Sequence, residues 1–166
     1  MKISNYLFAF LLIFTFSCQD KEDSIPQITL DGTYELATEN TDTKLWYVTQ
    51  YVFNPDGKLQ VYHLLRETKD GPAIGYTYYQ RSNYSLRGTS FSHTIQRAYR
   101  VDEDKNPEGF AEDLEDLISV DLGGYTGAKG TLRQLESGNK IALIFECNDT
   151  PGNAMCLGEQ EYEKVN

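Results

Sequence analysis

The 166-residue sequence predicts an all-β protein, an antiparallel up-and-down barrel of eight to nine strands, on three observations. From Asp31 onward apolar and polar residues alternate with period two, the mark of strands that turn one face to a core and the other to water. Turn-forming clusters interrupt this alternation at short intervals, so the strands follow one another as hairpins. Aromatic and β-branched residues fill the segments between, as a pleated, half-buried surface prefers.

A first strand is expected at 32–37. Tyr47, Thr49, Tyr51 and Phe53 then alternate with Trp46, Val48, Gln50 and Val52. Asn54-Pro55-Asp56-Gly57 follows, with Pro presetting the first corner and Gly taking a positive φ. Beyond it Leu59, Val61, His63 and Leu65 alternate with Gln60, Tyr62, Leu64 and Arg66, which completes a hairpin. Tyr76, Tyr78, Tyr84 and Leu86 share the next parity, opposite Thr77, Arg81, Asn83, Ser85 and Arg87. Gly88-Thr89 turns the chain, and Phe91, Ile95 and Tyr99 oppose Ser92, Thr94 and Gln96. Ile118, Val120 and Leu122 come next, then a glycine-rich strand near 126–134. Ser137-Gly138-Asn139 turns into Ile141, Leu143 and Phe145, and a last strand is expected around 157–164. A meander of this kind must hide its edges, and closing the sheet on itself removes them. A two-sheet β-sandwich is the alternative.

Three short segments carry a family resemblance. Asp31-Gly32-Thr33-Tyr34-Glu35-Leu36 resembles the Gly-x-Trp opening of lipocalin-like domains, with Tyr34 in place of the Trp. Phe53-Asn54-Pro55-Asp56-Gly57-Lys58-Leu59 resembles their second-hairpin turn, and Tyr84-Ser85-Leu86-Arg87-Gly88-Thr89 their mid-barrel strand and turn. The resemblance implies a lipocalin-like barrel over residues 30–166.

The amino terminus reads as an export signal. Lys2 is the only charge before position 20, and an apolar run from Tyr6 to Phe16 follows it. A bilayer-spanning helix needs about 20 apolar residues, so this run is the core of a signal peptide over 1–17. Thr15-Phe16-Ser17-Cys18 resembles a lipoprotein box, which implies cleavage before Cys18 and lipid attachment to its thiol. Ordinary secretory cleavage after Ser17 is the alternative. Two or more acyl chains suffice for stable attachment where one is marginal. Residues 18–29 then form a tether, and Gln19-Asp20-Lys21-Glu22-Asp23-Ser24 resembles the acidic export tag of Bacteroidota surface lipoproteins. The resemblance implies an outer-membrane, lipid-anchored protein displayed at the cell surface.

What remains after residue 17 is one domain's worth of chain, with 14 basic against 25 acidic residues and a formal net charge of −11. That balance argues against nucleic acid, whose phosphates need clustered Lys and Arg. Cys147 and Cys156 are separated by a turn-rich octapeptide, and outside the cytoplasm such a pair is expected as a disulfide. Closing so short a loop is worth roughly 2–3 kcal/mol in the chain-entropy model.

With the more apolar parity turned inward, His63 falls with Leu59 and Val61, and His93 with Phe91 and Ile95. Arg97 is expected inward as well. An eight-stranded barrel either fills with side chains or holds one small ligand. Tyr47, Tyr51, Tyr78, Tyr84 and Tyr99, with His63, His93 and Arg97, are the candidate lining for an aromatic or acidic molecule. Arg97 is the natural carboxylate partner, because its fork donates two parallel hydrogen bonds.

Signals for catalysis are lacking. There is no Gly-x-Ser-x-Gly, and the stretch from Gly124 to Thr131 lacks the contiguous Gly-Lys-Thr of a phosphate loop. Asp102, Asp104 and Asn106 alternate like calcium ligands, but Pro107 replaces the required Gly turn and no chelating Glu closes the loop. A solvated acidic loop with a short helical turn over 109–117 is expected instead, with no metal and no cofactor. The expected function is non-covalent binding of a small apolar or aromatic molecule, without catalysis. The alternative is a solid barrel contacting an envelope protein or glycan through its loops.

Overall fold

The computed structural model describes residues 28–146 and 158–165. The expected signal peptide, Cys18, most of the tether and the Cys147–Cys156 pair lie outside the described residues. The rest forms nine strands: β1 (Gly32–Glu39), β2 (Trp46–Phe53), β3 (Lys58–Arg66), β4 (Ala73–Arg87), β5 (Ser90–Arg100), β6 (Ile118–Ser119), β7 (Gly127–Leu135), β8 (Lys140–Phe145) and β9 (Gln160–Val165). All pairings are antiparallel. The order β4-β3-β2-β1-β9-β8-β7-β5 closes through a β4–β5 pairing into an eight-stranded up-and-down barrel, and β6 adds to the edge of β5. The sandwich alternative is excluded by that closure. Among the described residues helix is confined to short 3₁₀ turns, one of them at Leu114–Asp116, inside the segment expected to hold a helical turn.

Register explains which end is solid. Phe53 pairs with Gly32 and Leu59, so the 54–57 turn lies at the same end as the start of β1, the Gly88-Thr89 turn and the 136–139 turn. At this end Tyr34, Phe53, Leu59, Leu86, Phe91, Leu132 and Ile141 are buried together. The rings of Tyr34, Tyr84 and Phe91 all meet Phe53 edge-on, at centroid distances of 5.9, 5.1 and 6.3 Å. Each such side chain contributes about 1.5–3 kcal/mol by leaving water.

The segment before β1 stoppers the same end. Ile28 N–H donates to the Leu86 carbonyl at 2.9 Å, and Leu30 is buried in the core. The Tyr84 hydroxyl accepts from Leu30 N–H at 2.8 Å and lies 2.9 Å from the Leu30 carbonyl and 3.2 Å from that of Asn54. Gly32 enters β1 at φ +117, a conformation that L side chains rarely adopt. Any Cβ there would also strike the Lys164 stem, whose ammonium stands 5.8 Å from the Tyr34 ring centroid.

Three irregularities shift the register, one of them between Leu65 and Arg66 at the start of β4, and the other two set the faces of candidate site residues. Opposite β3 the register slips between His63 and Leu64, with Thr77 as the extra residue, so Tyr78 faces inward while Tyr76 faces outward to pair with Ala111. Opposite β4 it slips between Arg81 and Ser82, with Gln96 as the extra residue on β5. Ile95 and Ala98 both face the interior, and Arg97 and Tyr99 therefore face out. A bulge inserts one residue without a partner, so every side chain beyond it changes face relative to strict alternation. Segment 101–120 lies against this outer surface, where Val101, Ala111 and Leu117 pack on Tyr79 beside Tyr62, Tyr76 and Tyr99. Between β1 and β3 on the outside, Arg66 grips Glu35 with two nitrogens at 2.7 and 2.8 Å, both side chains largely buried.

Candidate functional site

The other half of the barrel is hollow. A cavity of about 630 Å³ opens toward the end that carries the 121–126 segment, a size typical of small-molecule sites. Strands supply most of its wall: Tyr51 from β2, Val61 and His63 from β3, Tyr78 and Gln80 from β4, His93 and Ile95 from β5, and Phe145 from β8. Alternation brings them there. Val61 pairs with both Tyr51 and Gln80, and His63 pairs with Tyr78, so one inward face runs across three strands.

Gln80 is the centre of the polar lining and is itself buried. Its Oε1 accepts from the Tyr78 hydroxyl at 2.7 Å, and its Nε2 donates to Ser82 Oγ at 2.6 Å. The same nitrogen lies 3.4 Å from His93 Nδ1. Burial holds the pKa of both His63 and His93 below the usual imidazole value. Water reaches His63 through the mouth, yet the barrel wall around the ring still disfavours the imidazolium.

Tyr51 is nearly covered, with its ring edge-on to Tyr162 at 5.0 Å. Its phenol pKa is pushed well above the ordinary value, first by burial and then by the Tyr162 hydroxyl. Tyr78 is raised by burial and, after that, by Tyr125. These phenols are therefore neutral donors and acceptors at physiological pH.

At the mouth, Gly123 and Gly124 both take positive φ, Gly123 N–H donates to Asp121 Oδ1 at 3.0 Å, and Tyr125 N–H donates to the Leu122 carbonyl at 2.8 Å. This turn brings Leu122 and the half-exposed Tyr125 to the cavity. The glycine-rich stretch that superficially suggested a phosphate loop thus forms a turn and the start of β7. Gly127 must lie against the His93 carbonyl, and any Cβ there would collide with that oxygen.

Of the eight candidate lining residues, Tyr51, His63, Tyr78 and His93 meet at the cavity. The other four do not. Tyr84 is inward but belongs to the solid end, where its hydroxyl is committed to Leu30 and Asn54. Tyr47 has the inward parity but lies 45% exposed near the start of β2, outside the cavity lining. Arg97 and Tyr99 are corrected to the outer surface, because the Gln96 bulge reverses the face of every residue after it. Tyr99 there stacks on Tyr79 at 5.8 Å, and Arg97 is exposed opposite Arg81.

Gln80, Leu122, Tyr125 and Phe145 were not singled out as lining residues. Gln80 was legible, since it lies between Tyr78 and Ser82 on one parity. Leu122 and Tyr125 arrive through a non-local turn and carry no periodic signal. With Arg97 removed, the polar lining consists of phenols, imidazoles and the Gln80 amide, with Lys129 and Glu146 at its edge. Such a lining offers ring faces for stacking and a few directed hydrogen bonds. No protein-family model matches the chain, no curated protein is significantly similar to it, and no solved structure matches it significantly.

Proposed function

We propose that this protein is a lipid-anchored, surface-exposed lipoprotein of lipocalin-like type that binds a small apolar or aromatic molecule non-covalently in its barrel. The observation that carries the reading is the cavity of about 630 Å³ bounded by Tyr51, His63, Tyr78, Gln80 and His93. A solid barrel would have no such space. The three lipocalin-like segments support the family reading by where they fall: Tyr34, Phe53, Tyr84 and Leu86 all belong to the buried core that closes one end. The lipoprotein part rests on the apolar run, Cys18 and the acidic stretch behind it. Binding without chemistry is the reading for the site, since neither histidine is hydrogen-bonded to a carboxylate among the described residues.

Native mass spectrometry of protein purified gently from the producing cell tests the cavity. A reproducible added mass, lost on denaturation and absent from Ala128→Trp, is expected, because Ala128 lines the space that the indole would fill. The same added mass on the filled variant would place the ligand elsewhere. Labelled palmitate tests the anchor independently: incorporation is expected in the native chain and lost in Cys18→Ala.

A further inference from the structure

Strands β3, β4, β5 and β7 contain no aspartate or glutamate, although the chain has 25 acidic residues and a formal net charge of −10. Their outward positions instead present Lys58, Arg81, Arg87, Arg97, Lys129 and Arg133, all exposed. The strands are neighbours in the barrel, so these cations share one continuous wall. Arg81 and Arg97 are direct cross-strand partners. Like charges so placed are destabilising. Arg81, Arg87, Arg97 and Lys129 form no ion pair with any described carboxylate. An acidic protein that keeps its acids off one wall and leaves these cations uncompensated has the complement of that wall outside itself.

The Gln96 bulge adds shape to the charge. On the wall lies a groove of about 320 Å³ bounded by Lys58, Gln60, Arg81, Asn83 and Gln96. Toward the solid end the outward side chains between the cations are Asn83, Ser85, Ser90, Ser92 and Thr94. Those positions offer hydrogen bonds and no large apolar anchor. Protein interfaces concentrate their energy in buried aromatic anchors, and interfacial membrane binding needs apolar side chains to insert. A chain rich in both acid groups and hydroxyls fits better. From Arg81 to Arg87 the cations run about 20 Å along one strand, a length suited to an extended polymer.

We propose that the outer wall of β3, β4, β5 and β7 binds an acidic polysaccharide, with acid groups on Arg81, Arg87, Arg97 and Lys129 and hydroxyls on the Asn, Ser and Gln side chains between them. The probe is immobilised polygalacturonate, with dextran as the neutral comparison. Full-length protein is expected to bind the former and not the latter, and to release as salt is raised, since exposed charges are screened. Arg81→Gln/Arg87→Gln/Arg97→Gln should weaken binding by about tenfold. Lys44→Asn/Lys69→Gln/Lys105→Gln, which removes as many charges elsewhere, should leave it unchanged. Should the first variant lose its β-sheet circular dichroism, Arg87→Gln/Lys129→Gln is read in its place. Equal binding to dextran, no binding, or equal binding by the wall variants would overturn the proposal. Tighter capture by phosphatidylglycerol vesicles or duplex DNA would also overturn it, reassigning the wall to a membrane or to nucleic acid.

Discussion

Gln80 shows how one side chain sets the chemistry of a cavity. By joining the Tyr78 hydroxyl, Ser82 Oγ and His93 Nδ1, it ties three polar groups of the lining together. Buried donors and acceptors left without a partner each cost about 1–3 kcal/mol, so Gln80→Leu should lower unfolding stability by an amount of that order in urea titration. The histidines make a separate prediction. Their folded pKa values are depressed by burial, while the unfolded chain takes up protons near the free value of about 6.5. Stability from this source is intact above that value and is lost as pH falls through the folded values. The melting temperature should therefore drop between about pH 7 and pH 5, and less steeply in His63→Gln/His93→Gln. Identical slopes would show that the two rings titrate alike in both states.

At the scale of elements, the barrel combines a rigid end with an open one, and the inward-facing tyrosines divide between them. Tyr84 belongs to the stopper: its hydroxyl ties residues 28–30 to β4 and to the 54–57 turn. Tyr84→Phe is expected to cost about 1–3 kcal/mol in chemical denaturation while leaving the ligand mass unchanged, because the lost bonds lie away from the cavity. A variant that kept full stability would show that the Leu30 backbone finds other partners. The bulges at Thr77 and Gln96 are the second element-scale device. They turn Tyr76 and Arg97 out, and so decide which side chains enter the barrel.

Closure governs the whole molecule. β9 meets β1 through Thr33, Tyr34 and Glu35, a short seam compared with the eight-residue β1–β2 ladder. Removing residues 160–166 would leave β1 and β8 as open edges beside an exposed aromatic core, and open edges template association. That truncation is expected to aggregate on size-exclusion chromatography; a soluble, protease-resistant monomer would mean the other strands close without it. Charge is also distributed at this scale. Acids populate β1, β9 and the 102–116 segment, while the β3–β4–β5–β7 wall has none. The −10 total therefore conceals a strongly dipolar surface.

The sequence by itself determined the strand series, the turns at 54–57, 88–89 and 137–139, and the inward parity of Tyr51, His63 and His93. Those features are local: period-two alternation and turn chemistry act over a few residues and leave a readable trace. The last strand was expected at 157–164 and is formed over Gln160–Val165, and of the run at Ile118, Val120 and Leu122 only Ile118–Ser119 is strand. The tertiary structure alone decided the faces of Arg97 and Tyr99, because each bulge is defined by the partner strand and not by the bulged residue. It also decided that the barrel is hollow at one end and solid at the other. Filling depends on how far residues 28–30 and the aromatic core reach inward and on where the turn carrying Leu122 and Tyr125 lands, and both are set by contacts between residues far apart in the chain.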